Sequence, residues 1–93
     1  MNLRQAARNK PCMVRLPCFN HNDETTVLAH YRLAGTCGMG MKPEDEQAAW
    51  CCSACHDVVD GRVKLDGYTK AEIREAHANG VFRTQAAIRR MAA

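Results

Sequence analysis

A small α+β domain that cannot rest on apolar burial alone is what this sequence predicts, and three observations carry that reading. The chain has 93 residues, the length of a single compact domain, so residues 1–93 are read as one unit. Only 15 of the 93 are Leu, Val, Ile or Phe, about 16%, below the roughly 20% at which burying a core becomes difficult. The 46% hydrophobic content comes mostly from 14 alanines, six cysteines and five methionines. Disorder, the usual consequence of so few large apolar side chains, also calls for high net charge, and 13 basic against 10 acidic residues leave only +3. The six cysteines are the third observation. They supply the kind of staple that small folds use in place of a large core.

Compartment decides which staple. Arg4, Arg8, Lys10 and Arg15 break up any apolar run that a secretory signal would need, and no stretch has the length of a membrane span. A cytoplasmic chain without a membrane partner is the expectation, with thiols kept reduced. Paired cysteines then favour a structural zinc over disulfides. Such a site contributes on the order of 10 kcal/mol of apparent folding free energy.

The elements follow in order. Residues 3–8 have the pattern of a short basic helix. Cys12 to Cys18 reads as an extended knuckle closed by a turn, because Pro17 cannot continue a helix. Residues 19–24 are polar and turn-like. Thr25 to Arg32 is the best strand, rich in β-branched and aromatic residues, with Val27, Ala29 and Tyr31 on one face and Leu28, His30 and Arg32 on the other. Gly35, Gly38 and Gly40 mark a loop, and Ala49 to Cys51 can return as a second strand. Ser53 is placed as the N-cap of a short helix over 54–60, with Gly61 as its C′ residue. After an Asp66–Gly67 turn, Thr69 caps a helical pattern that reaches about Arg90, and Gly80 marks a break or kink within it.

The chemistry concentrates in Cys52-Ser-Ala-Cys55-His56. A Cys-x-x-Cys step lets two thiolates meet one tetrahedral ion from a tight turn, and a second pair must complete the shell. Cys12 and Cys18 are the candidates for that pair, with Cys37 the alternative fourth ligand and Cys51 a packed thiol beside the knuckle. The same five residues spell the c-type haem attachment motif. Haem is not expected, because no export signal accompanies the motif and the second cysteine pair would have no role. His56 and Asp60 stand four apart, one helical turn, so one face can present both to a hard divalent ion. His30 stands on a strand that leads through the glycine loop to this helix, whereas His21 and His77 read as structural.

Taken together, Leu28-Ala-His-Tyr-Arg32, Gly38-x-Gly40-x-Lys42-Pro43-x-Asp45 and Cys52-Ser-Ala-Cys55-His56-Asp57-x-x-Asp60 resemble the YbcO-like family of small prophage-encoded proteins described as nucleases. The order of knuckle, strand histidine, loop and cysteine–histidine helix is similar to the HNH, or ββα-metal, motif. The resemblance implies a zinc-stapled ββα-metal domain with C-terminal helices, working on DNA in the cytoplasm of a bacterial host. It makes His30 the general base and His56 and Asp60 the ligands of Mg²⁺ or another divalent cation, beside a structural Zn²⁺ on Cys12, Cys18, Cys52 and Cys55. Arg32, Lys42 and Arg62 would contact phosphates. The sequence departs from the HNH pattern at Ala29, where a metal-binding Asp or His usually precedes the base, and it lacks a middle Asn, so Asp45 or Gln47 would orient His30. Those departures sustain an alternative: a non-catalytic zinc module that binds DNA or protein.

Overall fold

The N-terminal segment starts the core. Asn2 caps helix α1 (Leu3–Ala6) by accepting the amides of Arg4 and Gln5, and the turn that follows buries Ala7 completely. The computed structural model describes residues 2–17, 22–33 and 44–92, with residue 92 described by its backbone alone. Asn9, at φ 60°, ends the helical turn in the left-handed region that asparagine tolerates. The chain then runs inward through Cys12, Met13, Val14 and Leu16, all buried.

A 3-10 turn (Asp23–Thr25), capped by the Asn22 side chain, leads into strand β1 (Val27–His30). Strand β2 (Ala48–Cys51) pairs with it antiparallel, matching Val27 with Cys51, Leu28 with Trp50, Ala29 with Ala49 and His30 with Ala48. The described strands are shorter than the run of β-branched residues suggests, but the alternation holds. Ala29, Ala49 and Cys51 join a core with Val14, Leu16, Val58 and Val81. Trp50, with Leu28 against it, faces Ala7 and Met13 in a second cluster.

The outer edge of β2 is closed by neighbours rather than left to solvent. The Trp50 amide donates to Thr84 Oγ1 at 2.9 Å, and the Trp50 carbonyl accepts from Met13 N at 2.7 Å. Covering an edge strand in this way removes a template for aggregation. Thr84 comes from helix α3 (Lys70–Ala92), which a reciprocal capping box between Thr69 and Glu72 begins, with bonds of 2.9 and 3.1 Å.

Two local expectations change. Helix α3 runs through Gly80 without a break. Glycine is needed there for proximity, since a Cβ would meet Val14 Cα at 3.0 Å and the Met13 carbonyl at 3.1 Å. Helix α2 (Ser53–Val59) is capped by Cys52 and not by Ser53, because the Cys-x-x-Cys turn aims the Cys55 amide at the Cys52 sulfur, 3.5 Å away. Gly61, at φ 81°, follows the Asp60 cap as its C′ residue. His77 is structural, as its place in the sequence suggests. It donates Nε2–H to the Ala29 carbonyl at 2.8 Å and meets Tyr31 edge-on at 5.0 Å, tying α3 to β1. Burial holds its imidazole below the ordinary value of 6.5.

The whole is a small α+β arrangement of a two-stranded antiparallel sheet among helices. No helix among the described residues is long and apolar enough to cross a membrane.

Candidate metal centre and open cleft

Helix α2 divides the functional residues by its two faces. Cys55 and Val58 point inward, while His56 and Asp60 are half-buried at the surface. The inward face meets the N-terminal segment. The sulfurs of Cys12, Cys52 and Cys55 all lie within 4.8 Å of one another, and all three residues are buried. Thiolates on a tetrahedral zinc, at about 2.3 Å from the ion, stand about 3.8 Å apart, so this spacing suits an ion such as zinc. The four described cysteines are all free thiols.

Their electrostatics are divided. Hydrogen bonds from Cys51 and Cys55 lower the Cys12 thiol below its ordinary range. Cys51 moves the other way, pushed up chiefly because it donates to that sulfur. Burial raises Cys52. Cys51, fully buried, therefore packs beside the cluster as a donor, in line with its sequence reading. Cys18 and the alternative ligand Cys37 lie outside the described residues.

The outward face of α2 opens on a cleft of about 660 Å³ whose walls include His30, Arg32, His56, Asp60 and Arg62. Strand β1 presents His30 on the face opposite buried Ala29, which explains why position 29 offers nothing to the cleft. His30 Nε2 lies 2.8 Å from Asp45 Oδ1. Of the two candidates for orienting it, the structure brings Asp45, whereas Gln47 turns its amide to the Tyr31 carbonyl. The His30 hydrogen bond, with help from Arg4, holds Asp45 below the ordinary carboxylate value of 3.8.

His56 Nε2 and Asp60 Oδ2 are 3.2 Å apart, one turn apart on α2. Adjacent ligands of an octahedral ion at about 2.1 Å stand about 3 Å apart, a spacing close to that of this pair. Arg62 leans over the same carboxylates, 3.3 Å from both Asp57 and Asp60. Lys42 lies outside the described residues. Two wall residues escaped the sequence reading. Arg4 and Arg8 line the cleft, and Arg4 Nε stands 3.7 Å from Asp45. Their four-residue spacing on a short basic helix was the available signal, but nothing local says what that helix faces.

Comparison with known proteins agrees with this picture of a small phage-type protein. The profile of the family described as "Putative nuclease YbcO" matches residues 1–93. A protein of that description from Escherichia coli (strain K12) is 49% identical over 87 residues, covering 90% of this chain and 86% of the relative. One from Enterobacteria phage 82 matches to the same extent. A solved structure described as "Structure of a putative bacteriophage protein from Escherichia coli str. K-12 substr. MG1655" superposes with a TM-score of 0.76 at 37% identity, over 96% of this chain and 98% of that one. A family profile that spans the whole chain, and relatives matched over nearly their full length, leave one assignment: the chain belongs to the YbcO family.

Proposed function

We propose that this protein is a metal-dependent endonuclease that hydrolyses DNA phosphodiester bonds through a ββα-metal, HNH-like site. The observation that carries the reading is one cleft walled by His30, already hydrogen-bonded to Asp45, and by the His56–Asp60 pair. The family's description as a nuclease supports it.

In this reading Asp45 fixes the imidazole of His30 through Nε2, leaving the other ring nitrogen to take a proton from water. The hydroxide so formed attacks phosphorus, and the bond to the leaving oxygen breaks. His56 and Asp60 would hold a divalent cation, which when bound would supply stabilisation of charge on the phosphate and on the departing oxygen. Arg32, Lys42 and Arg62 steady neighbouring phosphates. Cys12, Cys52 and Cys55, with Cys18 as the fourth ligand, keep α2 in place through a structural zinc.

Plasmid DNA incubated with the purified protein tests the proposal. Cleavage with Mg²⁺ or Mn²⁺ that stops in EDTA, and stops in His30→Ala, is the expected result. Buried Ala29, at the position where the HNH pattern carries a ligand, is the observation that favours a non-catalytic zinc module instead. That alternative wins if the wild type binds DNA, or a protein partner, and leaves duplex, single-stranded and branched DNA intact.

A further inference from the structure

The cations of the cleft are not equivalent. Arg62 is already spent on Asp57 and Asp60, at 3.3 Å from each. Arg8 is exposed and makes no side-chain hydrogen bond or ion pair among the described residues. Arg4 makes a single contact among them, from Nε to Asp45 at 3.7 Å, with 65% of its side chain open to solvent. Both line the same cleft as His30 and Asp60.

Their mount is firm for so short an element. Asn2 caps it, Ala7 seals it into the cluster with Met13 and Trp50, and the left-handed Asn9 closes it. Two guanidinium groups are thus held over an open groove, their donors largely unpaired, on a segment anchored from behind. A planar fork of donors suits the oxygens of a phosphodiester.

We propose that Arg4 and Arg8 form a clamp for the phosphates of a nucleic-acid backbone, and that Arg4 is also a positioning residue bracing Asp45 against His30. The clamp rests on the nuclease reading and assigns substrate contacts to a segment outside the ββα unit. Arg8 contributes binding alone. Arg4 contributes binding and, through the carboxylate it shares with His30, turnover.

The test separates the clamp from the nuclease reading. Binding of a fluorescent duplex oligonucleotide is followed over a salt series with the full-length His30→Ala protein, which cannot cut, and again after adding Arg4→Gln, Arg8→Gln or Arg90→Gln. Each clamp substitution is expected to weaken binding by up to about tenfold and to lower the slope of log affinity against log salt by about 0.9, the signature of one lost phosphate contact. Arg90→Gln, which removes the same charge from an exposed position off the cleft wall, should change neither. In the cleaving protein, Arg8→Gln should raise KM alone, whereas Arg4→Gln should raise KM and lower kcat. Arg4→Lys should recover the salt slope. Circular dichroism and zinc content check the fold, and exposed Arg8, without a side-chain partner among the described residues, keeps the clamp testable if Arg4→Gln perturbs folding. Unchanged affinity and slope in both variants overturn the clamp and leave the nuclease reading standing. An equal loss in Arg90→Gln also overturns it, by reducing the effect to net charge. A His30→Ala protein that binds no DNA overturns both.

Discussion

The two faces of α2 carry different kinds of ligand chemistry to opposite surroundings. On one, Cys55 joins Cys12 and Cys52 in a buried cluster. On the other, one residue later, His56 pairs with Asp60 at the rim of an open cleft. Soft thiolates in a dry, closed site hold an ion for structure, while imidazole and carboxylate with open positions leave room for water and substrate. A seven-residue helix thus presents one set of ligating groups to the core and another to the cleft. The sealed face fixes the orientation of the open one.

If that division is right, the sealed face should be the more fragile. Removing zinc by chelation, or replacing Cys55 with Ser, should unfold the domain, with loss of helical circular dichroism and of one zinc per chain by elemental analysis. The effect is large because a structural zinc contributes on the order of 10 kcal/mol, as much as the whole stability of a small domain. Cys51→Ser, beside the cluster but not in it, should keep the zinc and cost only about 1 kcal/mol in denaturant unfolding. The reverse order would place the wrong cysteine in the cluster.

On the open face the losses should fall on rate, not on fold. His30→Ala should cut turnover about a hundredfold or more while zinc content and DNA affinity persist. Asp60→Ala should lose rate in a way that excess Mg²⁺ or Mn²⁺ partly restores, because its defect is in holding the cation. Both variants should melt close to the wild type. Equal, metal-irreversible losses with abolished DNA binding would mean that the faces are not separable.

Asp45→Asn gives a finer reading, since the amide keeps the shape of the side chain and loses the carboxylate charge that accepts the His30 Nε2–H. A smaller loss of kcat, about tenfold, is expected in single-turnover assays. The depressed Asp45 carboxyl keeps its charge below pH 3.8.

The smallest effect belongs to His77, which ties α3 to β1. Its folded-state value lies below 6.5 because burial disfavours the charged ring. The stability it contributes is complete above pH 6.5 and is lost as pH falls from there through the folded value, because the unfolded chain takes up the proton first. Thermal unfolding between neutral and mildly acidic pH should show this decline, and His77→Gln should flatten it.

Much of this molecule was legible because it is local. Cys52 and Cys55 share one turn, His56 and Asp60 share one helical face, and Thr69 stands at the start of the helix it caps. Even the error at Ser53 is local in origin: a hydroxyl is the better cap in general, but the cysteine turn had already assigned the Cys55 amide to sulfur. Gly80 was misread because a glycine that breaks a helix and one that admits a neighbouring backbone look alike until Val14 is placed against it.

What the sequence determined by itself was therefore the set of ligand types, the spacing that lets them act in pairs, and the alternation that turns His30 away from buried Ala29. Tertiary structure alone decided which distant partners complete those pairs: Cys12 beside Cys52 and Cys55, Asp45 rather than Gln47 on His30, and Arg4 behind Asp45. The physical reason lies in range. Dihedral preferences and helical or strand periodicity act over a few residues, whereas closing a cleft from residues 4, 30, 56 and 60 depends on how α1 and α2 seat against the sheet through Ala7, Trp50, Cys55 and Val58.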